Sequence, residues 1–209
     1  MPGYGWAWPS EADAAQGVRA ALERGALAAV ALLGRPDGFL ANPQVRIPLP
    51  GALNEVARLL KAAGLGRRLD ELVTAMNRAA EAAVPEARQL LVATVKAVSV
   101  EDALQLVRSR RDTAVTEFFA TKTRAPLGER FLPIVTRATE RLRLAERYNA
   151  IAARAASLGL LRDEQASVQQ HVTVKALDGL FFMIGEEEKK IRADPLKTGS
   201  AILRKVFGG

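Results

Sequence analysis

The stretch from Val172 to Ile191, VTVKALDGLFFMIGEEEKKI, is the longest apolar run of the chain without a proline, and it restricts the possible folds more than any other segment. Read as a helix, it places Val174, Leu177, Phe181 and Ile184 at i, i+3 and i+4 spacings. Leu180 and Met183 widen that stripe until little of the circumference from Ala176 to Ile184 is polar. A helix apolar on almost every side must be surrounded by others. Each large side chain there stabilises by roughly 1.5–3 kcal/mol on burial, so half a dozen rival the net stability of a domain, about 5–15 kcal/mol. The segment therefore reads as a central helix near 172–192. Gly179 is about 1 kcal/mol worse than alanine in a helix interior, which predicts a neighbouring helix passing close to the backbone. Asp178 lies in the same apolar setting. A carboxylate held in that setting would need a partner, which Lys175 one turn earlier could supply; the plainer reading is a half-exposed carboxylate on a narrow polar edge, the alternative a buried, tuned acid.

Alanine, leucine, arginine and glutamate dominate the 209 residues, and aromatics are only 5%. That balance predicts an all-α protein. The expectation is one multi-helix bundle of about nine to ten helices over residues 13–209, preceded by an N-terminal tail, 1–12. There is no cysteine, which excludes disulfides, thiol chemistry and thiolate metal sites. His171 is the only histidine, which excludes mechanisms or metal sites needing two. No run approaches the ~18 apolar residues of a membrane span. In the tail, Tyr4, Trp6 and Trp8 read as residues that fold back on the core or lie loosely, with an interfacial anchor as the alternative.

Along the chain, Ser10 and Asp13 resemble a capping box, and a helix follows to Gly34. Residues 35–50, RPDGFLANPQVRIPLP, carry four prolines and read as a Pro-rich extended strap. Phe39, Leu40, Val45, Ile47 and Leu49 would press it onto the helices. Gly64 ends the next helix, and Leu65-Gly66 leads into another through Leu69, Leu72 and Met76. Pro85 interrupts that run. Ser99 with Asp102, and then Asp112, read as helix starts. Pro133 should kink or restart the helix begun at Pro126. Asp163 opens a short segment before the central helix, and Ile202, Leu203 and Val206 form the inner face of a last one.

In order and spacing, the segments DGFLANPQVRIPLP, MNRAAEAAVPEA, ERFLPIV, AERYNAI and KALDGLFFMIGEEEKKIRADP resemble the bacterial family called domain of unknown function 4197, over about residues 14–207. The resemblance implies an all-helical protein of the bacterial envelope, made with a signal peptide or lipoprotein leader. It implies no activity. The expected location is accordingly periplasmic or envelope, or cytoplasmic if the chain is complete. Similar sequences are often glycine-rich near position 110, where this one reads Ser109-Arg110-Arg111.

The formal charge of +7 is unevenly placed: residues 108–147 hold ten Lys and Arg against five Asp and Glu. Arg108, Arg110, Arg111, Lys122 and Arg124 are the candidate contacts to an anionic surface. No nucleic-acid module or basic-aromatic stacking pattern accompanies them, which makes nucleic acid the weakest of the partner readings. In the run from Glu186 to Arg192, the pairs Glu186–Lys190 and Glu188–Arg192 are helix-supporting i, i+4 pairs, not metal ligands. No G-x-S-x-G, phosphate loop or dinucleotide fingerprint is present, and no cofactor or metal is implied. The candidate ligand-binding residues are Asn77, Arg78, Tyr148, Asn149, Phe181 and Ile184. Phe181 and Ile184 would floor a cleft edged by the strap, although buried polar groups such as Asn77 and Arg78 also commonly tie helices together. The leading expectation is a non-enzymatic envelope protein binding a lipid-like, apolar or anionic ligand or a protein partner. One alternative is a hydrolase of envelope polymers using two of Asp178, Glu81 and Glu86. The other is a basic nucleic-acid binder.

Overall fold

Ser10 and Asp13 exchange the two bonds of a capping box: the Ser10 amide donates to Asp13 Oδ2 at 3.1 Å and the Asp13 amide to Ser10 Oγ at 3.0 Å. They open α1, Glu11–Leu33. The computed structural model describes residues 8–161 and 167–209, so Tyr4, Trp6 and Asp163 lie outside the described residues. After α1 come α2 (Gly51–Leu60), α3 (Gly66–Glu86), α4 (Arg88–Ala97), α5 (Ala103–Arg108), α6 (Ala114–Arg141), α7 (Leu144–Ser157), α8 (Val168–Ala193) and α9 (Ala201–Phe207). No strand occurs among the described residues, and the class is all-α.

Counted as uninterrupted runs, the described residues form eight helical segments, slightly fewer than the nine to ten expected. Between Gly51 and Glu86, α2 runs into α3 across a kink at Lys61–Leu65. Gly64 is non-helical there, with a left-handed φ of 87°, and it ends α2 as its position predicted. The prolines of α6 interrupt it less than expected, whereas the break expected at Pro85 falls one residue after it, between α3 and α4. Pro126 and Pro133 both lie inside α6, and Pro85 sits one residue before the end of α3. A proline removes one backbone donor, but neighbouring turns carry the helix past it.

The described residues group into two compact units. The first comprises the chain up to Ala29, Leu90–Arg124 and Phe181–Gly209. Its α1 packs closely on α9, since a Cβ added at Gly17 would lie 2.7 Å from Val206 Cγ1. Ala21, Ile191 and Leu203 are buried together, with Phe207 against them, and Phe119 meets Phe181 edge-on at 5.9 Å. Two of the expected helix starts are corrected in this unit. α5 begins after Asp102, whose backbone is left-handed (φ 51°) and whose side chain caps nothing. The first turn of α6 is capped by Glu188 of α8 rather than by Asp112: Glu188 accepts from the Val115 and Thr116 amides at 3.0 and 2.8 Å and from the Thr116 hydroxyl at 2.6 Å.

The second unit comprises Val30–Gln89 and Ala125–Leu180. The strap at 35–50 is non-helical, and Phe39, Val45, Ile47 and Leu49 are buried. A Cβ at Gly179 would come within 2.7 Å of the Phe39 ring, so the close neighbour expected there is the strap and not a helix. Along α8, Val172, Ala176, Leu177 and Leu180 are buried as the apolar stripe requires. Val174 is not part of it: it is 51% exposed. Leu69, Leu72 and Met76 of α3 and Leu144, Tyr148 and Ile151 of α7 supply further core.

Candidate functional site

Three of the residues nominated from the sequence converge on the strap. The Asn77 carboxamide closes a two-way bond with the backbone of Ile47, accepting from its amide at 2.8 Å and donating to its carbonyl at 3.0 Å, and donates again to Val73 O at 2.8 Å. One turn on, Glu81 Oε1 accepts from the Phe39 and Leu40 amides, both at 3.1 Å. Its other oxygen receives Arg78 Nη1 at 2.9 Å, and Arg78 Nη2 reaches Asp37 Oδ1 at 2.9 Å. Asn77 and Glu81 are buried. The Arg78 guanidinium is held in its charged form above all by Glu81, with Asp37 adding to it. At the strap's far end, His171 Nε2 lies 2.8 Å from Pro48 O. Burial pushes the His171 imidazole below its ordinary value, and the bond to Pro48 opposes that shift only in part. Donation to a carbonyl identifies the neutral ring as the Nε2–H tautomer.

The remaining nominated residues do not join them. Glu86 faces Arg141 at 3.4 Å and Arg137 at 3.8 Å. Asp178 is half-exposed with Lys175 at 4.0 Å. Each of the three candidate carboxylates thus has its own set of cations or amides. Tyr148 is buried, its hydroxyl finds no hydrogen-bond partner among the described residues, and burial raises its pKa. Asn149, its neighbour, is exposed. Phe181 and Ile184 belong to the first unit, where both are buried, Phe181 against Phe119 and Ile184 against Gly25. Among the described residues, no three His, Asp or Glu side chains gather in a way that would hold a metal ion.

Arg108, Arg110, Arg111, Lys122 and Arg124 all lie in the first unit and all are exposed. Arg111 pairs with Glu117 at 2.7 Å. Lys122 Nζ stands 5.7 Å from the centre of the Phe118 ring, and the Arg124 guanidinium 4.9 Å from that of Phe181. Such cation–ring pairs keep the charged ends at the surface while covering apolar area. The charged run before Arg192 pairs differently from the i, i+4 expectation. Glu186 binds Lys189 at 2.8 Å and Glu187 lies 3.6 Å from Lys190, whereas Glu188 meets Arg192 at 2.9 Å, as expected, in a buried setting.

The described residues also form grooves within each unit. In the second unit, Arg68 and Glu71 of α3 and Arg147, Ala150 and Ile151 of α7 line a half-open groove of about 250 Å³. The sequence pointed to this part of α7 through Tyr148 and Asn149, but the groove is lined by the residues on either side of that pair. Only the 3.6-residue period, which puts positions 147, 150 and 151 on one face, was available to find it. In the first unit, Arg24, Glu187, Lys190 and Lys197 border a groove of about 380 Å³. Its charges are satisfied internally, with Arg24 bound to Thr198 O at 3.0 Å and lying 3.6 Å from Glu187.

No helix among the described residues is long and apolar enough to cross a membrane. Comparison with curated proteins and with solved structures finds no match. The family model described as "Protein of unknown function (DUF4197)" matches residues 9–208, nearly the whole chain, and the protein belongs to that family.

Proposed function

We propose that the protein is a non-enzymatic, membrane-peripheral component of the bacterial envelope that binds an anionic lipid surface through its first unit. One observation carries this reading: Arg108, Arg110, Arg111, Lys122 and Arg124 are all exposed on that unit, with two of them laid over phenyl rings. Lys and Arg near an anionic bilayer contribute about 1 kcal/mol each, so a handful supports reversible association without an inserted segment. The envelope location rests on the family resemblance. A catalytic reading gains nothing from the carboxylates, because Glu81 is committed to two strap amides and Arg78.

The test is co-sedimentation with vesicles at low salt. Phosphatidylglycerol vesicles are expected to retain the protein and phosphatidylcholine vesicles to leave it in solution. The double substitution Arg110→Glu, Arg111→Glu is expected to lower retention about tenfold or more, since it changes the local charge by four. Equal retention on both lipids, or none on either, would end this reading.

A further inference from the structure

The groove between α3 and α7 has a composition that the surface reading does not use. Its polar edge is basic. Arg68 is exposed and forms no ion pair among the described residues. Arg147 is oriented by its own backbone, because Nε donates to Leu142 O at 3.1 Å, which fixes the plane of the guanidinium. Its Nη1 approaches Glu71 only to 3.9 Å, too far for a hydrogen bond, so its outer donors are not consumed. Glu71 is drawn also towards Arg67, at 3.4 Å. With Arg68 and Arg147 against the one carboxylate of Glu71, which Arg67 also engages from outside the lining, the rim keeps an excess of positive charge. Its floor is apolar, formed by Ala150 and the buried Ile151.

A guanidinium whose plane is already set loses little freedom when it forms the paired bonds of an oxyanion. The apolar floor beside it rewards a ligand that carries hydrocarbon next to its charge. We infer that this groove is a binding site for a small amphiphilic oxyanion, a phosphate monoester or carboxylate on a short apolar body, with Arg68 and Arg147 gripping the head and Ala150 and Ile151 receiving the tail. The volume of about 250 Å³ admits a fragment of that kind rather than a whole lipid. The site lies wholly within the second unit and does not depend on the lipid-surface reading.

Titration of the full chain with hexyl phosphate, followed by calorimetry and amide chemical shifts, tests it, with hexanoate, hexanol and inorganic phosphate as comparators. Saturable one-to-one binding of hexyl phosphate and hexanoate is expected, at least tenfold tighter than hexanol or inorganic phosphate. Arg68→Gln is expected to weaken it about tenfold. Ala150→Phe, which fills the floor without altering charge, is expected to abolish it. Both side chains are exposed, so melting temperatures should be unchanged, and if Ala150→Phe melts early then Arg68→Gln decides alone. Arg110→Glu with Arg111→Glu should leave hexyl phosphate binding intact, which separates this site from the lipid-binding surface. The inference is overturned by absence of saturable binding, by inorganic phosphate binding as tightly as hexyl phosphate, or by full binding in Arg68→Gln.

Discussion

Asn77 commits both of its side-chain donors and one acceptor position to backbone: both polar groups of Ile47 and the carbonyl of Val73. Truncation to alanine would leave a buried amide and a buried carbonyl without partners, each worth about 1–3 kcal/mol. Asn77→Ala is therefore expected to destabilise the protein by about 2–4 kcal/mol in urea denaturation, and a loss below about 1 kcal/mol would contradict the bonding described. The sequence displayed these polar residues on a helix face that is otherwise core, and left open whether they meet a ligand or a neighbour. It could not name the partners, because Ile47 and Phe39 offer backbone groups, which have no signature in side-chain pattern. Gly179 repeats the lesson. The need for close approach was legible from one glycine in an apolar helix, yet the body that approaches is the Phe39 ring.

At the scale of elements, helix existence was easy to read and helix ends were not. The box at Ser10 and Asp13 works because donor and acceptor lie three residues apart and find each other locally. The start of α6 is governed by Glu188, 72 and 73 residues further along the chain from the amides it caps. No local pattern could reveal that. The same carboxylate anchors Arg192, whose guanidinium donates to the carbonyls of Leu106 and Val107 at the end of α5 at 3.0 and 2.9 Å. One Glu–Arg pair thus satisfies the N-terminus of one helix and the C-terminus of the preceding one. Removing one member of a buried pair typically costs about 3–5 kcal/mol. Glu188→Ala is expected to fall in that range and to speed amide exchange at Val115 and Thr116 before the rest of α6. Uniform exchange along the helix would show that the cap lies elsewhere.

For the molecule as a whole, the all-α class and the family were both readable, the first from composition and periodicity, the second from five motifs in order. Charge was readable too, since an excess of cations between 108 and 147 survives folding as exposed side chains. Screening sets in within about 10 Å at 0.1 M salt, so retention on phosphatidylglycerol vesicles should fall steeply as salt rises past that concentration. What the sequence did not disclose was the groove of α3 and α7, which exists only once two helices distant in the chain lie side by side. The strap carries a last consequence. It is a 16-residue segment without helix, and Arg35 and Arg46 stand on its surface, which is the usual description of a protease-sensitive loop. Cleavage, however, requires the backbone around the scissile bond to peel away into the enzyme, and here the amides and carbonyls at 39, 40, 47 and 48 are already claimed by α3 and α8. The bond after Arg35 is an Arg–Pro bond, which trypsin does not cut, so the test falls on Arg46: trypsin should find it a poor substrate in the native protein and cut there only at the pace of the strap's detachment from α3.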